Sequence, residues 1–166
     1  MKKRRFPIAA LLLCLCLFLS ACGGTARGEL NYAEADFCAR LFGNRGGTDF
    51  SCEAVCRNGA LVSLSYTAPD SLSGITLTRE GEGYRVSLGE RSYSLSAEAL
   101  RGLLAPAHAL LPPAPTVLSV QKTGKERVVS LTTSAFDSPL SVTLSPNGFP
   151  RLISVGEMIV QVEKIG

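Results

Sequence analysis

The sequence predicts a mainly β, α+β domain: an antiparallel, unclosed β-half-barrel wrapped over one Pro-broken helical segment at about residues 96–111. Three observations carry this. Apolar and polar residues alternate with period two in segment after segment, as they do in strands with one packed and one wet face. Turn signals built on glycine separate those segments. The one leucine-rich stretch with helical spacing falls between two blocks of strands, where it can supply the second layer that a one-sided sheet needs.

The chain opens with a leader. Lys2, Lys3, Arg4 and Arg5 precede the 12 apolar residues Ile8–Leu19, too short a run to cross a hydrocarbon core, which takes about 20 residues. Positive residues followed by a short apolar run are the pattern of a secretory signal. Removing positions 1–21 leaves 13 of the 17 Lys and Arg to face all 14 Asp and Glu. The basic character therefore belongs to the leader, which argues against nucleic acid as a partner and against a polybasic membrane-surface domain.

Leu19-Ser20-Ala21-Cys22 resembles the lipobox of bacterial lipoproteins. The resemblance implies cleavage after Ala21, covalent diacylglycerol on the Cys22 thiol, and a lipid anchor on the extracytoplasmic side of a cell membrane. Two acyl chains supply the double anchor that stable attachment requires. Residues 22–31 then read as the lipidated cysteine and a short tether, and 32–166 as a single domain.

Residues 30–42 carry two periodicities. Leu30, Ala33, Phe37 and Leu41 suit a helix face, while Ala33, Ala35, Phe37, Ala39 and Leu41 suit a strand face; a strand over 32–42 is the favoured reading. Folding back through Gly43–Gly47 onto a strand at 49–57 would bring Cys38 near Cys52 or Glu53. A Cys38–Cys52 disulfide is therefore one expectation for an oxidising exterior, and three reduced thiols, with Cys56, are the other. Cys52 and Cys56 on one strand would lie about 13 Å apart, too far to bridge.

Beyond this point alternation dominates. Val62, Leu64 and Tyr66 begin it, followed by Ile75 and Leu77, then Tyr84, Val86 and Leu88. It resumes at Leu118 and Val120, Val129 and Leu131, Leu140, Val142 and Leu144, and Met158, Val160 and Val162. Asn58-Gly59 is a two-residue hairpin signal; Gly81-Glu82-Gly83, Thr123-Gly124, Pro146-Asn147-Gly148 and Gly156-Glu157 punctuate the rest. In the helical segment Ser96 can cap and Glu98 favours the N-terminal dipole. Leu100, Leu103, Leu104, Leu110 and Leu111 fall on its apolar side, Pro106 should kink or split it, and Pro112-Pro113 stop it.

The rhythm of Tyr66-Thr67-Ala68-Pro69, Gly74-Ile75-Thr76-Leu77 and Gly83-Tyr84-Arg85-Val86, with the closing Asn147–Ile153, is similar to that of the LolA-like lipoprotein-carrier superfamily. That resemblance implies a half-barrel over helices with an apolar cavity, and hence a lipid or other apolar ligand held near Leu100, Leu103, Leu104, Leu110 and Leu111. The alternative is a non-catalytic envelope interaction or assembly module, working through the convex face or an open sheet edge with an envelope protein. No nucleophile motif, P-loop or dinucleotide fingerprint is present; the lone His108 lies far from the cysteines, and no CxxC pair offers a zinc site. No enzyme activity, metal or cofactor is expected beyond the covalent lipid.

Overall fold

The computed structural model describes residues 26–166. The leader, the lipobox with Cys22 and residues 23–25 of the tether lie outside the described residues. Eleven strands form one antiparallel sheet with the order β6-β5-β4-β3-β2-β1-β11-β10-β9-β8-β7. Two meanders, β1–β6 and β7–β11, thus meet where β1 (Phe37–Arg45) pairs with β11 (Met158–Lys164) in the middle of the sheet. The sheet does not close on itself, as the sequence predicts for a half-barrel.

The hairpins form where their turn chemistry puts them. Asn58 and Gly59 both take positive φ, 49° and 73°, which a two-residue turn between twisted strands demands, and they join β2 (Thr48–Arg57) to β3 (Ala60–Ala68). Gly43 lies inside β1 instead of in the turn. A Cβ there would sit 2.4 Å from the Phe50 ring and 2.5 Å from the Ile159 carbonyl oxygen, so only glycine lets three strands approach at that point. Opposite Val55 and Cys56 of β2, a bulge in β3 changes the pairing from Ser63 to Leu61. Leu61 is buried and Val62 is 37% exposed, so the inward row reads Leu61, Leu64, Tyr66, with Val62 displaced from it.

β4 (Ile75–Glu80), β5 (Gly83–Leu88) and β6 (Arg91–Ser96) complete the first meander. The helical segment begins later than expected. Ser96 remains the last residue of β6, paired with Gly83. Its hydroxyl oxygen accepts the Ala99 amide at 3.2 Å, capping a turn, and the helix α2 runs Arg101–Leu110 after the short N-terminal helix α1 (Ala26–Glu29). α2 connects β6 to β7 (Thr116–Thr123), the two edges of the sheet, and buries Leu104, Ala105, Pro106, Ala107, Ala109 and Leu110 against the inner face.

Of the two outcomes expected at Pro106, a kink or a split, the split does not occur: the segment is one helix. Proline removes the amide that would bond the carbonyl four residues back. That carbonyl, Gly102, accepts from Arg45 Nη1 at 3.0 Å. The next one, Leu103, accepts from the Tyr66 hydroxyl at 2.6 Å, and at the far end Leu110 accepts from the buried Tyr32 hydroxyl at 2.9 Å. Three sheet-side or entry-segment donors thus hold the helix along its length. β8 (Glu126–Thr133), β9 (Phe136–Leu144) and β10 (Pro150–Val155) finish the second meander.

Two boundaries shift at the N-terminus. Residues 31–34 form a 3-10 turn, and the strand expected over 32–42 starts at Phe37. The packed domain also begins before residue 32: Leu30 is 3% exposed and Glu29 pairs with Arg127 at 3.1 Å. Tyr32, Phe37 and Phe149 form an edge-on aromatic cluster, with Phe37 and Phe149 centroids 5.2 Å apart, which anchors this entry segment to the closing hairpin.

The Cys38–Cys52 disulfide does not form. In the β1–β2 register Cys38 lies opposite Val55 and Cys52 opposite Leu41. Cys52 is in the core while Cys38 is on the half-exposed face with Arg40, so the two side chains leave the sheet in opposite directions. Cys38, Cys52 and Cys56 are all free.

Candidate functional site

Of the five leucines expected to line a cavity, three fill the core. Leu100, Leu104 and Leu110 are 4% exposed or less and pack among the inward residues of the sheet. Leu103 and Leu111 are half-buried at opposite ends of α2 and face different spaces. Leu103 borders a small cavity of about 130 Å³ with Phe50, Tyr66 and Leu72. Leu111 borders a groove of about 790 Å³, which lies in the size range of small-molecule sites.

The groove is assembled from separated segments, each held by its own local contacts. Leu30, Ala33 and Glu34 come from the 3-10 turn and the residue before it. The β2–β3 turn is fixed against that segment: the Asn58 amide donates to Asp36 Oδ1 at 2.8 Å and Arg57 pairs with Asp36 at 3.4 Å. Leu61 supplies apolar floor from β3, and Arg79 and Tyr84 face it from β4 and β5. The opposite wall is Ala107, His108, Leu111 and the Pro112–Pro115 run. Thr133 pins that run by donating its hydroxyl to the Pro113 carbonyl.

The groove is thus apolar on its floor and polar at scattered points. Burial, and then the Arg101 charge, hold the His108 imidazole below its ordinary value, so it is neutral at neutral pH. Burial raises the Tyr84 phenol, with Arg79 acting in the opposite sense. Glu34 and Glu82 also line the space.

Next to the groove, the inner face of the sheet becomes progressively uncovered from β4 to β6. The register aligns Leu77 with Val86 and Tyr93, Ile75 with Leu88 and Arg91, and Arg79 with Tyr84 and Leu95. Exposure rises from Leu77 at 0% to Tyr93 at 62% as the sheet passes beyond the helix. A ten-residue helix is only about 15 Å long. It covers the centre of the sheet and leaves Leu88, Tyr93 and Leu95 in solvent, while the outward positions on these strands are Thr76, Thr78, Arg85, Ser87, Ser92 and Ser94.

The cysteines are poorly suited to nucleophilic chemistry. Burial pushes the Cys52 and Cys56 thiols up to about 12, whereas a reactive cysteine needs its thiolate at neutral pH. Among the described residues, no three His, Cys, Asp or Glu side chains cluster as metal ligands would.

No protein-family model matches the sequence, and a search of curated proteins finds no match. Solved structures do match. An uncharacterized conserved protein from Thermus thermophilus aligns over 84% of this chain and 85% of its own, with a TM-score of 0.54 at 8% identity. A LolA superfamily protein from Nitrosomonas europaea aligns over 87% and 93%, with a TM-score of 0.47 at 11% identity. The lipoprotein LppX from Mycobacterium tuberculosis aligns over 83% and 90%, with a TM-score of 0.38 at 12% identity. The Thermus likeness establishes a shared fold and nothing about chemistry; the other two are too distant in shape to add to it.

Sequence reasoning missed Leu30, Leu61, Tyr84 and the Pro112–Pro115 wall as lining residues. Only Leu111 was legible in advance, as part of the helix stripe.

Proposed function

We propose that this chain is a membrane-anchored extracytoplasmic lipoprotein whose half-barrel binds a lipid or another apolar ligand in the groove at the C-terminal end of α2. The observation that carries the reading is the groove of about 790 Å³ lined by Leu61, Tyr84 and Leu111, with the exposed Leu95 directly across the β5–β6 ladder from Tyr84. An apolar chain entering there removes that surface from water at about 25 cal/mol per Å². Arg79, Glu34, Glu82 and His108 offer polar contacts to the ligand's other end. The anchor rests on the lipobox: the Cys22 thiol takes diacylglycerol, and the chain is then cut between Ala21 and Cys22.

Native mass spectrometry of the protein from Gly23, purified without detergent, tests the ligand. The expected result is a reproducible adduct of lipid mass that Leu111→Arg abolishes and Leu103→Arg leaves in place, because Leu103 borders the other cavity. A clean apo mass that survives incubation with phospholipid overturns the reading. For the anchor, Cys22→Ser should leave the full chain uncut and unacylated in the cell.

A further inference from the structure

We propose that β6 is a homodimerisation edge, through which two copies of this chain pair antiparallel about a two-fold axis with Ser94 opposite Ser94. The inference is independent of any ligand in the groove.

The sheet has two edges and they differ. β7 carries a bulge between Val117 and Ser119 and the cation Lys122, both devices that discourage strand addition. β6 runs against β5 without a register shift, every one of its six residues is exposed, and it holds no proline, lysine or acid. Its single charge, Arg91, stands at its beginning.

The direction of its free backbone groups follows from the turn. Gly89-Glu90 is a two-residue loop joining the paired Leu88 and Arg91, and the residues flanking such a loop exchange both main-chain hydrogen bonds. Arg91, Tyr93 and Leu95 therefore bond β5, and Ser92, Ser94 and Ser96 turn their amides and carbonyls to the open edge. The preceding hairpin gives the same parity. Glu80 and Gly83 flank the Gly81-Glu82 loop, so Gly83, Arg85 and Ser87 bond β4 and leave Tyr84, Val86 and Leu88 for β6.

With Ser94 on the axis, Ser92 of each copy meets Ser96 of the other. These three hydrogen-bonded pairs make about six main-chain bonds. Between them Tyr93 faces Leu95 twice, an aromatic–aliphatic cross-strand pair on the inner face, and on the outer face serine meets serine. Arg91 faces Ala97, so no like charges oppose. A slip of one residue would set Tyr93 and Leu95 against outward serines. The exposed inner row of Leu88, Tyr93 and Leu95 becomes continuous across the axis, in a self-complementary contact of the kind that closes dimers.

The test is oxidative cross-linking of the full chain in lysates of expressing cells, in a Cys38→Ser background. Ser94→Cys places two thiols at a hydrogen-bonded pair about 5.5 Å apart between Cα atoms, within disulfide reach. The expected product is a covalent dimer that yields two disulfide-linked copies of the tryptic peptide 92–101. Its yield should exceed that of Lys122→Cys at the other edge by at least about tenfold, and adding Ser92→Pro should lower it by a similar factor. Proline there removes an edge-facing amide and spares the β5 ladder. Continued protection of Cys52 and Cys56 from alkylation verifies that this variant folds. A monomer with Ser94→Cys, equal cross-linking at Lys122→Cys, or indifference to Ser92→Pro would each overturn the proposal.

Discussion

Arg45 Nη1 lies 3.0 Å from the carbonyl oxygen of Gly102, the same carbonyl that Pro106 leaves without an amide partner. The pairing explains how a proline sits inside a continuous ten-residue helix. Because Arg45 is exposed, water competes for the site, and Arg45→Ala is expected to cost only about 0.5–1 kcal/mol. The informative comparison is a double-mutant cycle with Pro106→Ala. Alanine restores the amide, so the loss of Arg45 should matter less in that background, and denaturant melts of the four proteins would give a coupling of about 0.5 kcal/mol or more. Strict additivity would show that the contact carries no stability.

The other end of α2 depends on a buried partner. Tyr32 donates its hydroxyl to the Leu110 carbonyl at 2.9 Å, and Tyr32→Phe keeps the ring in its aromatic cluster while leaving that carbonyl unpaired. The expected loss is about 1–3 kcal/mol, read from the midpoint of urea unfolding at unchanged slope. Since Leu111 follows immediately and lines the groove, the same variant should weaken ligand retention more than Arg45→Ala does.

The thiols make a further, pH-dependent prediction. Of the three described cysteines, a maleimide should label only Cys38 in the native protein, and Cys52 and Cys56 only after denaturation, since both are 0% exposed. Burial raises these two thiols to about 12 from 9.0, and raises the Tyr32 and Tyr66 phenols as well. The unfolded chain therefore loses protons at lower pH than the folded one. Stability should be full below about pH 9 and fall as pH rises toward 12. Unfolding midpoints at about pH 8 and about pH 10.5 check the sign, and a flat profile would contradict the burial.

The contrast between strands and site shows what a sequence can record. Alternation along Ile75–Leu77, Tyr84–Leu88 and Leu140–Leu144 reports inner and outer faces directly, because strand neighbours leave the sheet on opposite sides. Arg91–Ser96 alternates too, yet its Ser96 reads equally well as a helix cap, and the strand was hidden under the helix signal. Val62 was misplaced because a bulge depends on the partner strand. The contact between Arg45 and Gly102 spans 57 positions and leaves no local trace. The groove was illegible for the same reason: Leu30, Leu61 and Tyr84 look like ordinary core residues, and no local signal says that the 3-10 turn and the proline run leave a groove beside them.

His108 offers the most direct view of that groove, because it is the single histidine of the chain and gives one imidazole signal in an NMR titration. Burial and Arg101 hold its pKa below 6.5 in the folded state. The unfolded chain then takes up the proton first as pH falls. The contribution of neutral His108 is present above 6.5 and is lost as pH drops through the folded value. An apolar ligand lying against the ring excludes more water, which disfavours the charged form further. The expected titration is therefore depressed in the free protein and more depressed when the groove is filled, and ligand should be released on acidification. His108→Gln should abolish that acid-side release while leaving binding at about pH 7.5 near its original strength. A ligand-independent titration would place the bound molecule away from His108 and from the Leu111 end of the helix.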